Sequence, residues 1–352
     1  MKALRLYDPG DLRVEDIEVP VIKENEALVQ VMYCGVCGSD IPRLLKYGAY
    51  FSPITPGHEF AGKIAKVGSE VKNFRVGDKV TVPPLIPCYK CEWCEKGVYS
   101  LCQSYDYYGS RSNGAFAEYI AVTQANLLHV PGSVSYLDAA SSDPAANALH
   151  GITQANLKEG DSLLVYGAGP IGLFAIQAAK ARGASKVIAI DVGDKKTEVA
   201  RIVGADLVLD ALKDDLTAEV LKATNGEKAD IVIDFTGVPA AQKNTISLVR
   251  KMGTIVLLGI SHQGLELEEK DVDEILRGQL SIIGSWNSFT KPFPGNDWFE
   301  ALELFKAKKM TAEPVVSHKL LLDEAPDTFK KIKEGSFFFN KIMFMPNGEV
   351  KE

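Results

Sequence analysis

The sequence lacks an excess of positive charge and an apolar segment near its N-terminus. Its 352 residues include 39 Lys and Arg against 46 Asp and Glu, a formal net charge of -7. A broad basic surface is therefore not expected, which argues against a nucleic-acid or membrane partner. The first residues, MKALRLYDPGD, have neither the apolar core nor the small-residue cleavage site of a signal peptide. We therefore expect a cytoplasmic protein.

A long uninterrupted apolar run is also missing. The most apolar stretch, SLLVYGAGPIGLFAIQAA, has Gly and Pro at its centre. This composition favours a buried strand, a tight turn and a helix over a membrane span. The overall composition, with 46% hydrophobic and 24% charged residues, is ordinary for a globular chain. The length predicts two or three domains.

The sequence patterns divide the chain into a strand-rich module and a sheet-and-helix module. Residues 1–147 contain short apolar runs bounded by Gly, Pro and Asp, which predict a small many-stranded barrel. Residues 148–286 alternate Val/Ile/Leu-rich runs with amphipathic segments, which predicts a parallel sheet covered by helices on both faces. Residues 287–352 return to mixed patterning, and we expect them to pack on the first module.

A glycine motif follows the first apolar run of the second module. VYGAGPIG places Gly167, Gly169 and Gly172 in GxGxxG spacing, with Pro170 and Ile171 opening a predicted helix. The glycines of this motif permit a tight turn, close approach of a pyrophosphate and close helix packing. The helix N-terminus also attracts phosphates. A Gly-rich turn that serves only packing is the alternative.

Asp191 ends the next predicted strand, 22 positions after Gly169. A carboxylate at this place accepts hydrogen bonds from the adenosine ribose and repels the 2′-phosphate of NADP. Lys195 and Lys196 follow, and they leave tolerance of NADP open. The motif therefore predicts a Rossmann domain that prefers NAD.

Four of the six cysteines lie in one short segment, CYKCEWCEKGVYSLC. Their spacing is C-x2-C-x2-C-x7-C, given by Cys88, Cys91, Cys94 and Cys102. Four thiolates complete the tetrahedral coordination of a structural zinc, and a reducing compartment disfavours disulfides. An iron–sulfur cluster is the alternative, but the ferredoxin run closes after three intervening residues and is followed by Pro. We predict a structural zinc lobe over residues 84–103.

A second set of metal-binding side chains is dispersed along the sequence. Cys37, His58 and Asp143 supply a thiolate, an imidazole and a carboxylate. Three such ligands with one open position form a catalytic zinc site. Sequence separation alone leaves ordinary alternatives, namely a buried cysteine, a core histidine and a helix N-cap before Pro144.

Nearly the whole chain resembles the zinc-dependent medium-chain dehydrogenases/reductases, the superfamily of alcohol and polyol dehydrogenases. The resemblance lies in CGSD, GHEFAG, the four-cysteine lobe, GAGPIG and KIMFMP. The segments YGAYFSPITPGHEFAG, YDYYGSRSNGAFAEYI and IIGSWNSFTKPFPGNDW are similar to the galactitol-1-phosphate 5-dehydrogenases of its sorbitol dehydrogenase-like branch. The resemblance implies a GroES-like catalytic barrel with an inserted Rossmann doubly wound parallel-sheet domain. It also implies NAD, two zinc ions per chain, and a homodimer or homotetramer.

The resemblance gives roles to residues around the dispersed set. Asp143 stands where the family usually has Glu, and Glu59 is either a ligand during turnover or a neighbour of the ligands. Ser39 corresponds to the proton-relay hydroxyl, with a helix-capping Ser as the alternative. The His that usually follows three positions later is replaced by Pro42.

The resemblance also implies contacts to cofactor and substrate, from the positions of the residues in the sequence alone. Lys196 matches a lysine near the adenosine ribose, and Lys341 a basic residue near the pyrophosphate. Arg43, Tyr50 and Trp286 fall in segments expected near the substrate. An ordinary surface cation or core aromatic is the alternative for each of these side chains.

The predicted function is zinc- and NAD-dependent oxidation of a secondary hydroxyl of a polyol phosphate. The favoured reaction converts galactitol 1-phosphate to tagatose 6-phosphate. The alternatives are oxidation of an unphosphorylated polyol such as sorbitol or L-iditol, or of L-threonine or a vicinal diol. A non-enzymatic nucleotide-binding relative is the alternative from another class, but such relatives lack the zinc ligands.

Overall fold

The computed structural model describes residues 1–350. The chain forms two compact units. The first unit consists of Met1–Asp143, Phe289–Lys306 and the chain from Val316, and the second unit of Pro144–Ser288 and Ala307–Val315. The sequence patterns predicted boundaries after residues 147 and 286, a few positions away.

Residues 307–315 belong to the second unit, whereas the sequence patterns assigned them to the first module. The reason is a pair of hydrogen bonds between Gln177 and the backbone of Thr311. The Thr311 amide donates to the Gln177 Oε1 atom at 2.8 Å, and the Gln177 Nε2 atom donates to the Thr311 carbonyl at 3.2 Å.

The first part of the chain is rich in strands, and strands alternate with helices over residues 162–284. The strands are β1 (Lys2–Asp8), β2 (Asp11–Asp16), β3 (Glu26–Gly35), β4 (Glu59–Val67), β5 (Lys79–Thr81), β6 (Leu85–Ile86), β7 (Asp106–Tyr107), β8 (Tyr119–Thr123), β9 (Leu128–His129), β10 (Ser162–Tyr166), β11 (Lys186–Asp191), β12 (Leu207–Asp210), β13 (Ala229–Asp234), β14 (Val249–Leu257), β15 (Ser281–Gly284), β16 (Val316–Leu321) and β17 (Lys341–Met345). The α-helices are α1 (Asp40–Pro42), α2 (Glu92–Glu95), α3 (Tyr136–Ala140), α4 (Ser142–Gln154), α5 (Pro170–Ala181), α6 (Asp194–Ile202), α7 (Leu216–Ala223), α8 (Pro239–Leu248), α9 (Glu269–Gly278), α10 (Asn296–Lys306) and α11 (Ala325–Lys333). Among the described residues, no helix combines the length and apolar composition needed to cross a bilayer.

The second unit is built on a parallel sheet. Its strand order is β12-β11-β10-β13-β14-β15, and every pairing is parallel. All the residues of β10 are buried, which explains its continuous apolar sequence, SLLVY. The helices α5, α6 and α8 pack on the strands. This order is that of the doubly wound Rossmann fold, so the predicted fold class is confirmed for this part of the chain.

The first unit is built on a mainly antiparallel sheet. Its order is β16-β17-β3-β4-β5-β9, and β8 pairs with β3 as well. The late strand β17 pairs with the early strand β3, with Phe344 opposite Cys34. The chain therefore returns to its first sheet after completing most of the second unit.

An aromatic cluster stabilises the first unit. Phe116, Phe329 and Phe344 are fully buried, and the Phe344 ring centroid lies 5.3 Å from that of Phe116 and 6.1 Å from that of Phe329. Burial of a phenylalanine side chain stabilises a fold by about 1.5–3 kcal/mol. These contacts hold β17, α11 and the segment before β8 together.

Candidate metal centres and nucleotide-binding turn

The pairing of β3 with β4 brings distant metal-binding side chains together. Gly35 at the end of β3 lies opposite Glu59 at the start of β4. Cys37 follows β3 by two residues and His58 directly precedes β4, so the register makes them neighbours. The donor atoms of Cys37, His58 and Glu59 all lie within 4.8 Å of one another. We call these three residues the dispersed donor group.

The predicted ligand set contained Asp143, whereas the tight donor group contains Glu59. Asp143 lies in the first turn of α4, and it is buried. Burial raises the pKa of its carboxyl to about 7; the charge of His58 opposes the rise, and that of Glu59 adds to it. Asp143 therefore lies in the electrostatic environment of the group.

Asp40 lies beside the histidine, a neighbour that the sequence analysis did not predict. Its Oδ1 atom lies 3.4 Å from the His58 Nδ1 atom, and its Oδ2 atom accepts a 3.0 Å hydrogen bond from the Cys37 amide. Burial lowers the pKa of His58, but the Asp40 carboxylate outweighs burial and holds that pKa well above its usual value. A carboxylate behind one ring nitrogen fixes a metal-binding histidine so that the other nitrogen serves the metal. The only signal in the sequence was the acid that closes CGSD.

The structure corrects the predicted role of Lys341. This side chain is only 2% exposed, and its ammonium group donates to the Glu59 carboxylate and, at 2.9 Å, to the Val36 carbonyl. Burial lowers the pKa of Lys341, but Glu59 more than compensates, and the pKa is raised. Lys341 is therefore the buried counter-ion of Glu59, and its ammonium group is not displayed to a pyrophosphate.

Ser39 and Tyr107 lie against the dispersed donor group. The Ser39 hydroxyl donates to the Cys37 Sγ atom at 3.2 Å, and Ser39 makes no side-chain cap on α1. The Ser39 side chain therefore does not cap the helix, which was the alternative role. The Tyr107 ring stands edge-on to the His58 ring, with centroids 5.5 Å apart. Burial, and secondly the Asp143 charge, raises the pKa of the Tyr107 hydroxyl well above its usual value.

The four clustered cysteines form a second donor group. The donor atoms of Cys88, Cys91, Cys94 and Cys102 lie within 4.8 Å of one another. The Cys91 and Cys94 Sγ atoms are 3.6 Å apart and those of Cys88 and Cys94 4.0 Å apart, whereas a disulfide needs about 2.05 Å. Four thiolates at about 2.3 Å from a tetrahedral zinc stand roughly 3.8 Å from one another. The spacing of these sulfur atoms fits zinc.

The segment after β15 holds the cysteine lobe in place. The Ser100 hydroxyl donates to the Phe289 carbonyl at 3.2 Å and accepts from the Phe289 amide at 3.0 Å. The Lys291 amide donates to the Gly97 carbonyl at 2.9 Å. Part of IIGSWNSFTKPFPGNDW therefore supports the lobe.

The three residues predicted to contact substrate do not all belong to the same unit of the chain. Arg43 follows α1 and lies three positions after Asp40. Tyr50 is 67% exposed, and the guanidinium of Arg111 lies over its ring at 4.5 Å from the centroid. Trp286 belongs to the second unit and is 51% exposed. The described part of the first unit thus contains Arg43 and Tyr50 but not Trp286.

The glycine motif forms the turn between β10 and α5. Gly167 has a φ of 106°, a conformation that favours glycine, and Gly169 caps α5 before Pro170. A Cβ atom on Gly172 would lie 1.9 Å from the Gly167 carbonyl oxygen, so helix and turn pack too closely for any side chain there. A Cβ atom on Gly169 would meet nothing within 4 Å. The turn thus has an open face at the helix N-terminus, which suits a phosphate.

Asp191 lies beside this turn because β10 and β11 pair in parallel. Its Oδ2 atom accepts from the Ala168 amide and its Oδ1 atom from the Val192 amide, both at 2.6 Å. The Lys196 ammonium lies 3.7 Å from the Oδ1 atom. The carboxylate is thus fixed at the end of its strand, where a dinucleotide-binding fold contacts the adenosine ribose.

Comparisons with known proteins agree with the fold and the donor groups. An alcohol dehydrogenase GroES-like domain matches residues 23–132, and a zinc-binding dehydrogenase domain matches residues 170–324. The chain belongs to the zinc-dependent medium-chain dehydrogenases, and it is an oxidoreductase. The predicted family and enzyme class are confirmed.

Individual relatives cover almost the whole chain. The chain is 37% identical over 322 residues to galactitol 1-phosphate 5-dehydrogenase of Escherichia coli (strain K12), which is 91% of this chain and 92% of the relative. The crystal structure of galactitol-1-phosphate dehydrogenase from Escherichia coli superposes with a TM-score of 0.93 at 35% identity, over 98% of this chain and 100% of the other. A Sinorhizobium meliloti 1021 protein, assigned as a zinc-binding dehydrogenase and solved bound to NADP, superposes with a TM-score of 0.88 at 30% identity, over 98% and 99%.

Proposed function

We propose that this enzyme oxidises a secondary hydroxyl of a polyol phosphate, converting galactitol 1-phosphate to tagatose 6-phosphate with NAD as the acceptor. The dispersed donor group carries the proposal, because its donor atoms converge within 4.8 Å in a member of the zinc-dependent dehydrogenases. The choice of substrate is supported by the 37% identity to a galactitol 1-phosphate 5-dehydrogenase.

Two metal ions fit the donor groups. Cys37, His58 and Glu59, with Asp143 beside them, would hold the catalytic zinc, and the four cysteines of the lobe would hold the structural zinc. When bound, the catalytic ion supplies a Lewis acid that lowers the pKa of a substrate hydroxyl. The protein contributes charge around these ligands: the Asp40 carboxylate lies 3.4 Å from the His58 Nδ1 atom, and the charge of Lys341 stabilises the Glu59 carboxylate.

The turn before α5 and Asp191 would bind the dinucleotide. The amides at the α5 N-terminus would face the pyrophosphate, and the Asp191 carboxylate would accept hydrogen bonds from the adenosine ribose. When bound, NAD would be the hydride acceptor. The negative charge of Asp191 would repel the 2′-phosphate of NADP, so NAD is favoured. The nearby positive charge of Lys196 would reduce this repulsion.

Ser39 is the proposed relay for the substrate proton: its hydroxyl would accept that proton while passing its own on toward the nicotinamide ribose. Its hydroxyl lies 3.2 Å from the Cys37 Sγ atom, and so adjoins the metal-binding group. Removal of a positioned proton acceptor costs a factor of about 100 or more in turnover. Ser39→Ala should therefore reduce kcat by about 100-fold while the KM for NAD stays within about twofold. Ser39→Thr is the matched control, because it keeps a hydroxyl; equal activity of the Ala variant would refute the relay.

Zinc dependence and substrate choice are tested in one assay. NADH formation is measured with galactitol 1-phosphate, galactitol, sorbitol and L-threonine, before and after chelation and after zinc is restored. We expect kcat/KM for the phosphate ester to exceed that for galactitol by about 100-fold, the value of one or two hydrogen bonds to a charged group. Activity should be lost on chelation and restored by zinc.

Each alternative outcome has a distinct meaning. Equal or better activity on the free polyols would move the substrate to the unphosphorylated class while leaving the zinc assignment intact. Full activity in protein shown by metal analysis to be zinc-free would contradict the metal assignment. Rates with NADP that equal those with NAD would contradict the role of Asp191.

A further inference from the structure

We propose that Arg111 binds the phosphate group of the substrate, and that the rings of Tyr50 and Tyr105 hold its guanidinium ready for it. This inference rests on the proposed function, because it takes the substrate to be a phosphorylated polyol. We call these three residues the arginine clamp.

The guanidinium of Arg111 is held between two aromatic rings. Its central carbon lies 4.5 Å from the Tyr50 ring centroid and 4.4 Å from that of Tyr105. Each ring attracts the cation through its face and leaves the edge of the guanidinium, where its N–H donors lie, uncovered. Tyr105 also engages the guanidinium through a side-chain hydrogen bond, and Asp106 contributes to its electrostatic environment. Within residues 1–350, no carboxylate forms an ion pair with Arg111. The clamp is thus an oriented, exposed cation without a carboxylate partner.

The turn that carries Arg111 is anchored at the dispersed donor group at both ends. At one end the Tyr107 ring packs on the His58 ring, and the Tyr107 carbonyl accepts a 2.9 Å hydrogen bond from the Arg111 amide. At the other end the Ala115 amide donates to the Gly57 carbonyl at 2.9 Å, one residue before His58. A Cβ atom on Gly114 would lie 2.1 Å from that same carbonyl oxygen. These contacts hold the turn next to the donor group.

Ring contacts connect the clamp to the dispersed donor group. The Tyr107 ring lies 5.5 Å from the His58 ring, and the Tyr105 ring lies 6.4 Å from that of Tyr107. Arg111 packs on the Tyr105 ring. The carbon that is oxidised and the phosphorus are six covalent bonds apart in galactitol 1-phosphate, as many as in two extended peptide residues, or roughly 7 Å. A substrate oxidised at the donor group would extend its phosphate away from the metal ligands by this length, and the ring contacts place Arg111 in the same part of the first unit.

A second stacked arginine shows what a purely structural arrangement looks like. Arg13 lies over the Tyr7 ring at 4.5 Å, but its guanidinium is bound at 2.8 and 2.7 Å by both oxygens of Asp11. Two of its donors are occupied by a carboxylate, whereas the exposed Arg111 has no carboxylate partner among the described residues. Arg13 therefore offers a matched control.

The test compares Arg111→Ala, Arg111→Lys and Arg13→Ala in the zinc-loaded enzyme with NAD. We expect Arg111→Ala to reduce kcat/KM for galactitol 1-phosphate by about 30- to 100-fold, the effect of losing a paired hydrogen bond to phosphate. The kcat/KM for galactitol should change by less than about threefold, because the free polyol has no group for this cation to bind. Arg111→Lys should recover only part of the loss. An ammonium group does not stack on a ring as a planar guanidinium does, and it cannot form two parallel hydrogen bonds to a phosphate. Arg13→Ala should match the wild type on both substrates.

The outcomes separate this inference from the proposed function. If the wild type prefers the phosphate ester and Arg111→Ala keeps that preference, the inference is overturned and the proposed function stands. If Arg111→Ala loses activity equally on both substrates, the clamp is structural and the inference is overturned. If the wild type shows no preference for the phosphate ester, the proposed substrate itself fails, and this inference fails with it.

Discussion

Replacement of Lys341 by Met should destabilise the first unit strongly. Lys341 and Glu59 are each 2% exposed, and they form an ion pair in the interior. Met retains most of the apolar stem of Lys, so the change removes the charge with little loss of packing. Glu59 would then be a buried carboxylate without its counter-ion. Removal of one partner of a buried pair costs about 3–5 kcal/mol.

The double variant Glu59→Gln/Lys341→Met separates charge from packing. Because both charges are removed, its stability should return to within about 1–2 kcal/mol of the wild type, as buried pairs are often replaceable by neutral groups. Glu59→Gln alone should also destabilise, since it leaves the Lys341 ammonium with the Val36 carbonyl as its remaining bonded partner. The double-mutant cycle therefore predicts a coupling of several kcal/mol between the two sites.

Thermal unfolding of the zinc-free protein measures the effect without the contribution of a bound metal. At about 2–4 °C per kcal/mol for a domain of this size, Lys341→Met should lower Tm by roughly 6–20 °C. Lys63→Met is the control, because Lys63 is an exposed residue of β4 and its replacement should change stability by less than about 0.5 kcal/mol. A Lys341→Met Tm close to that of Lys63→Met, or a double variant no more stable than Lys341→Met, would refute the reasoning.

Three further predictions concern the cofactor, the zinc lobe and pH. Asp191→Ala should reduce the preference for NAD over NADP in kcat/KM by about 10- to 100-fold, and unchanged selectivity would remove Asp191 from this role. Cys91→Ser should remove the lobe zinc and lower Tm, whereas Cys37→Ser should remove only the other zinc; metal analysis showing both ions lost from either variant would contradict two independent sites. Burial raises the pKa of Asp230, but hydrogen bonds from Ser162 and the charge of Arg250 outweigh it and hold that pKa below its usual value. The contribution of Asp230, about 1–2 kcal/mol, should therefore be present above roughly pH 4 and disappear as the pH falls through the lower folded pKa. Urea unfolding of Asp230→Asn and wild type across this range should show the difference vanishing in acid; a constant difference would contradict the linkage.

Local patterns carried most of the fold prediction. The buried strand β10 is continuously apolar, and the glycine spacing of the turn that follows it is evident from adjacent residues. The cysteine lobe is local as well, because its four sulfur atoms come from fifteen consecutive positions. In such segments the spacing of residue types translates directly into geometry.

The dispersed donor group required more than spacing. Cys37 and His58 were named because the motifs around them resemble those of a known family; periodicity alone did not indicate that they meet. They meet because the end of β3 pairs with the start of β4, with Gly35 opposite Glu59. A shift of one residue would turn alternate side chains to the other face of the sheet and disperse the group.

The amino-acid sequence by itself determined the two kinds of layer, the glycine turn, the cysteine lobe and the chemical types of the metal donors. Only the tertiary structure decided that Glu59 joins the tight donor group, that Asp40 supports His58, that Lys341 is buried against Glu59 and that Arg111 lies between two tyrosine rings. The physical reason is that the first set depends on interactions between residues near in sequence. The second set depends on ion pairs and ring contacts between distant segments, which exist only once the strands have paired.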